Sequence, residues 1–337
     1  MPFNELIPIA AALTAPAFFL LLGLGALGAP LLALVCLASS HLYNTQYIEA
    51  FARRLLRMAL TAAVPALVAL AMLCALLFHK APWTLDWLLA SALAPGLFVV
   101  AVLAFFASLL TVRLSRPSAR HARQNSPIGQ AFVLSLLSLF IMWLALVLGN
   151  GLLEQGKAVQ LATNQLTTGV LATGQADGAQ NIAVAPLLLL DATALPSVLW
   201  LALAALVPLS IACAGTLSLE HLLLRRDREP FGREALTQML RIAARSSLRS
   251  ALLATAFLPV LWTHLPEMPA LPEGVLAAKL LLGLAGACAL LLMLCAGYLA
   301  RSGRPWAHGI AAHATVLSAW ACLTFLLCVA LLCFYGA

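Results

Sequence analysis

Charge is scarce in this sequence. Of its 337 residues only 9% are Asp, Glu, Lys or Arg, whereas 63% are hydrophobic and the mean hydropathy is +1.01. A water-soluble domain of that composition would expose a very large apolar surface, so the solvent of the fold is lipid. Cysteine spacing of the kind that holds cofactors is missing too. Cys36, Cys74, Cys213, Cys288, Cys295, Cys322, Cys328 and Cys333 all fall inside apolar runs, with no C-x-x-C and no C-x-x-C-H. That speaks against zinc ribbons, Fe–S ligation and covalent c-type haem, and for small packing residues. No glycine-rich nucleotide loop, H-E-x-x-H, G-x-S-x-G or catalytic carboxylate pair occurs, which leaves hydrolysis and phosphoryl transfer without candidate residues. The start, MPFNELIPIA, has no basic residue ahead of its apolar run, so a cleavable signal peptide is not expected and the first span is retained.

What is present is a series of Leu-, Ala- and Val-rich stretches, most of them long enough for a helix to cross about 30 Å of hydrocarbon while satisfying its own backbone. The pattern predicts an all-α polytopic transmembrane bundle of about eight helices, at roughly 14–40, 56–78, 87–112, 130–153, 196–223, 250–265, 275–299 and 314–335. The sixth is the shortest, and its basic approach from Arg241 to Arg249 can begin as a helix in the cytoplasm and run on into the bilayer. Residues 6–13 lie at the interface or extend the first span. Charge tests the count. With eight spans and both termini on the extracytoplasmic side, 16 of the 19 Lys and Arg fall on the inner side, and the outer loops keep only Lys80, Lys157 and Lys279. This is the positive-inside pattern of a plasma membrane protein, here read as the bacterial inner membrane. It accounts for the net charge of +7 without nucleic acid.

The chain divides into a four-helix half at 1–153, an extracytoplasmic loop at 154–195 and a second four-helix half at 196–337. The loop is either a linker or a cap, and LLLL at 187–190 suits re-entry into the interface. Four spans per half make two parallel repeats possible. Each half has a His at an inner helix exit, His41 or His221, followed by an acidic and arginine-rich amphipathic stretch.

Between the span ends the sequence places no Asp, Glu, Lys, Arg or His deep in hydrocarbon, which disfavours a proton-driven transporter. Histidine remains as a candidate ligand. His41, His221, His308 and His313 lie near the inner surface, where two imidazoles on facing helices could bracket a b-type haem, or each could simply bond to water and headgroups. The arginine clusters at 53–57 and 225–249 either set orientation or grip anionic headgroups or an acidic partner. Pro16, Pro30, Pro65, Pro95, Pro208 and Pro259 inside spans imply kinks that could shape a quinone or lipid pocket. GLGALGA at 23–29 and LLGLAGACA at 281–289 are candidate faces for a partner helix, because small residues permit close approach.

The layout resembles subunit I of the cytochrome bd quinol oxidases over its first eight helices. The likeness rests on the span followed by QYIEAFARRLLRMALTAAVPAL, on a fourth span ending in LVLGNGLLEQ, on the long outer loop, and on a fifth span running into HLLLRRDREPFGREALTQMLRIAARS. That family carries a haem-binding His in its first helix, a functional Glu in its third and a His and Met pair on the fifth and seventh. Here span one is apolar until His41, span three has no Glu, the start of span five has no His, and Met293 lacks its partner. The resemblance therefore implies a haem-poor or haem-free relative that does not reduce oxygen. The resulting expectation is a membrane subunit of a respiratory or redox complex, not catalytic alone. It would offer a scaffold, a docking surface or a quinone site to cytochrome or Fe–S partner subunits. The alternative is a cofactor-free transporter or lipid-handling protein for a neutral or amphiphilic solute.

Overall fold

A computed structural model describes residues 3–43, 46–80, 83–90, 93–114, 127–167, 197–226, 232–260 and 272–335. Among these the structure is helical and contains no strand. Its elements are α1 (Phe3–Tyr43), α2 (Gln46–Lys80), the short α3 (Trp83–Ala90), α4 (Leu93–Leu114), α5 (Pro127–Thr167), α6 (Ser197–Leu224), α7 (Arg233–Thr255), α8 (Pro272–Arg301) and α9 (Gly309–Tyr335), with a single 3-10 turn at Pro305–Ala307 between the last two. The protein is an all-α polytopic bundle. Among the described residues seven helices are long and apolar enough to cross a membrane, with apolar stretches at Ala12–Ser40, Tyr47–Leu76, Leu93–Arg113, Ile128–Gly151, Trp200–Leu224, Leu276–Arg301 and Gly309–Ala330.

The sixth expected span, 250–265, differs from its reading. Its helix starts at Arg233, breaks in a turn at residues 256–257 and resumes over 258–260. Arg233, Arg241, Arg245 and Arg249 along it keep α7 from being apolar enough to count among the seven. Its position nevertheless follows that of a crossing helix. Near its start Arg241 donates to the Ser302 carbonyl beyond the end of α8, Leu248 lies by Gly297, and Leu258 packs with Ala278 and Leu282. α7 thus runs antiparallel to α8 over most of its length. Ala235, Leu236, Met239, Leu240, Ala243 and Ala244 are buried at helical spacing, while Arg245 and Arg249 share the exposed face. Their long stems let the guanidinium groups reach back toward the headgroups. The segment 6–13 belongs to α1. Residues 154–167 continue α5, and the rest of the expected cap, including 187–190, lies outside the described residues, as do His121 and His264.

α1 is the hub. It packs on α2, α5, α6 and α9, and 67% of its most apolar 18 residues are buried, against 22% for the corresponding residues of α2 and α4. The close approach to α6 depends on two glycines. A Cβ at Gly28 would overlap the Ser210 carbonyl and come within 2.8 Å of the Ile211 nitrogen, and one at Gly25 would overlap the Leu217 side chain. The 23–29 segment is therefore an internal seam and not a face for a partner. In the second candidate face, Gly283 meets open space while Gly286 lies beside Leu258. Exchanging α1, α2, α4 and α5 for α6, α7, α8 and α9 maps the principal contacts onto themselves. α1 with α2 becomes α6 with α7, α2 with α4 becomes α7 with α8, α4 with α5 becomes α8 with α9, and α1 with α5 becomes α6 with α9.

Polar side chains inside the bundle are mostly satisfied by their own helix. Ser135, Ser138, Thr216, Ser218 and Thr315 each donate to a carbonyl three or four residues earlier at 2.6–2.9 Å. Ser247 is different: its hydroxyl is buried with no partner, wedged where α7 crosses Gly215 of α6. Trp320 fastens α9 to α1, its indole N–H donating to the Thr14 carbonyl at 2.7 Å while its ring meets Phe18 edge to face.

Candidate functional site

The four candidate histidines stand where their helices end or begin. His41 is in the last turn of α1, and His221 is half-buried in the last turn of α6. His313, one turn into α9, places Nδ1 2.8 Å from Glu220 Oε2 on α6. His308 follows the 3-10 turn, and its ring lies 5.0 Å from that of Tyr298, with the phenol oxygen 3.3 Å from Nδ1. His308 and His313 thus meet side-chain partners at the helix ends. Among the described residues no group of three or more His, Cys, Asp or Glu could hold a metal ion. His313 could still ligate through Nε2, with Glu220 fixing its ring.

These contacts also align the bundle. Glu220 with His313, Arg241 with Ser302, and Arg54 Nη1 at 3.6 Å from the Met239 sulfur bring the ends of α6 and α8 to the starts of α2, α7 and α9. The arginine-rich segments of the second half therefore meet α2's at one end of the molecule.

A partly enclosed space lies elsewhere, between α6, α7, α8 and α9. It is a cavity of about 100 Å³. Each helix contributes one face. Ala251, Ala254 and Thr255 of α7 share one face, with Leu258 just past its turn, and Ala319, Cys322, Leu323 and Leu326 of α9 fall at helical spacing. The space exists because six of the lining residues are alanines, whose methyl groups stop short of the centre where leucines would meet. His221, His308 and His313 do not line it. Thr255 is its hydroxyl-bearing residue, and that hydroxyl donates to Leu252 of its own helix at 2.9 Å. Cys213 and Cys322 add thiols, which are weak donors.

No protein-family model and no curated protein matches this chain. The site is therefore read from its own chemistry. An apolar cavity bounded by four helices excludes water and accepts aliphatic matter. Among the described residues it offers no imidazole for haem iron, and its thiols are weak donors for a quinone carbonyl. The expectation from sequence pointed to the histidines and the prolines and named 281–289 only as a face for a partner helix, so the alanine faces were not read as walls of a cavity. Their signal was available in ALLATAF at 251–257 and AGACA at 285–289, where small residues recur on one side of a helix.

Proposed function

We propose that this chain is an integral membrane subunit that receives the aliphatic tail of a bilayer amphiphile between α6, α7, α8 and α9 and carries out no chemistry alone. The observation that carries this reading is the alanine-lined cavity. About 100 Å³ suits a few methylene groups or part of an isoprene unit, and is too small for haem. The lining has the composition that sorts for tails over headgroups.

Two roles follow, distinguished by the tail. An acyl chain makes the protein a lipid-handling one. An isoprenoid tail makes it the membrane subunit of a respiratory complex that keeps a quinone beside cytochrome or Fe–S partner subunits, as the resemblance to cytochrome bd subunit I implies. In both, the arginine-rich end faces the cytoplasm of a bacterial inner membrane and both termini lie outside, in keeping with the distribution of Lys and Arg. The size and lining of the cavity favour tail binding in either role.

The test is native mass spectrometry with lipid extraction on protein purified in mild detergent, comparing the wild type with Ala254→Leu, which fills the cavity. The wild type is expected to keep an amphiphile through delipidation and the variant to lose it, and the identity of the tail selects between the roles. Equal retention by both proteins would remove the cavity as the site. A stoichiometric Soret band that disappears in His221→Ala or His41→Ala would instead assign haem to the inner histidines.

A further inference from the structure

We propose that a second site, independent of the tail cavity, binds a phosphate group in a cleft at the arginine-rich end, between the start of α7 and the turn at 302–307. The cleft measures about 450 Å³ and is lined by Arg233, Thr237, Gln238, Arg241, Arg304 and Trp306, with Glu234 as its acid. Three guanidinium groups thus face one carboxylate, and the balance is cationic. Orientation by the positive-inside rule needs only that basic residues be present near a span end. It does not call for arginines from two segments some 60 residues apart to converge with an indole on one concavity.

The walls are held in place. Arg241 donates to the Ser302 carbonyl through Nε at 3.1 Å and Nη2 at 2.9 Å, which ties the turn to α7 and leaves Nη1 unused. The turn is closed by Ala307 N–H to Arg304 O at 3.0 Å and His308 N–H to Pro305 O at 3.2 Å. Arg233 lies over the Trp306 ring, 5.5 Å from its centroid, and a guanidinium stacked this way keeps its N–H edge free for an acceptor. Among the described residues the guanidinium groups of Arg233 and Arg304 make no ion pair. Several planar forks around one open space match the tetrahedral oxygens of phosphate better than a single planar carboxylate. The indole places the cleft at headgroup depth. Two sources carry this chemistry, an anionic phospholipid of the adjoining leaflet and a soluble phosphorylated solute.

The experiment uses the full chain in phosphatidylcholine nanodiscs, with and without phosphatidylglycerol, in three forms: wild type, Arg233→Gln with Arg304→Gln, and Arg53→Gln with Arg57→Gln, which removes equal charge from α2 at the same end. Retained phosphatidylglycerol is counted by native mass spectrometry. Hydrogen exchange is followed at 232–241 and 302–308, and exchange elsewhere reports whether each variant is folded. In a second arm glycerol 3-phosphate or inorganic phosphate is added to neutral discs. Retention of phosphatidylglycerol that falls about tenfold in the cleft variant alone identifies the lipid. Protection of the two segments by the soluble phosphates, lost in the cleft variant, identifies a solute. Absence of binding in both arms, or equal loss in the two double variants, overturns the proposal. Arg304→Gln alone, an exposed side chain that holds nothing else in place, gives the same readout should the double variant misfold.

Discussion

α1 and α4 have nearly the same mean hydropathy over their apolar stretches, 2.4 and 2.5, and opposite places in the molecule. α1 touches four long helices, whereas α4 leans on α5 and α2 and turns Leu97, Val99, Val100 and Leu103 outward. Hydropathy places a helix in lipid, and lipid is as apolar as any leucine, so it cannot say which helix goes inside. Small residues decide that. Gly25 and Gly28 let α1 reach the backbone of α6, where van der Waals contact replaces the hydrophobic driving force of water. Gly96 on α4 faces open space and brings nothing closer.

The difference can be broken most forcefully at Gly28. Gly28→Leu should push α1 off Ser210 and destabilise the bundle by about 3 kcal/mol or more, read as loss of a monodisperse folded species in mild detergent. A variant that melts like the wild type would mean that the seam tolerates separation. Next comes Leu21→Ala, at a residue with no exposed surface. The transfer gain that operates in water is absent in lipid, so the expected loss is the packing part alone, about 1–2 kcal/mol by reversible unfolding in bicelles, and Leu103→Ala on α4 should cost far less. If the two cost the same, burial in the bundle carries no energy beyond contact with lipid. Trp320→Phe keeps a ring against Phe18 but loses the bond to Thr14, a cost of about 1 kcal/mol. Unchanged stability there would show that water or lipid replaces the indole as donor. The smallest effect belongs to Gly96→Leu, within about 0.5 kcal/mol of the wild type by the same assay, and a larger loss would reveal a neighbour on α4.

Seven spans were legible because a run of apolar residues is a local property. α7 was legible only in part, because its identity as a bundle helix depends on what surrounds it. Ala243, Ala244, Ser247 and Ala251 read as weakly apolar, yet they pack because α6 presents Gly215 opposite. The glycines of 23–29 were readable as a close-approach face, but sequence could not tell a partner protein from α6. The histidines were legible as helix-end residues, and Glu220 was not legible as the partner of His313, because the two are 93 residues apart. The cavity was hidden for the same reason. Four alanine-bearing faces make a hollow only once they are brought together.

The seam between α1 and α6 also constrains biosynthesis. α1 leaves the ribosome before α6, and the segment that fills its glycine groove, around Ser210, follows roughly 180 residues later. At translation rates of about 5–20 residues per second, that is a delay on the order of 10–40 s, far longer than helix formation itself. During that interval the groove is lined by lipid or held by the insertion machinery. Nascent chains stalled before residue 197 should accordingly crosslink through position 25 or 28 to an insertase, and chains released after α6 has emerged should not.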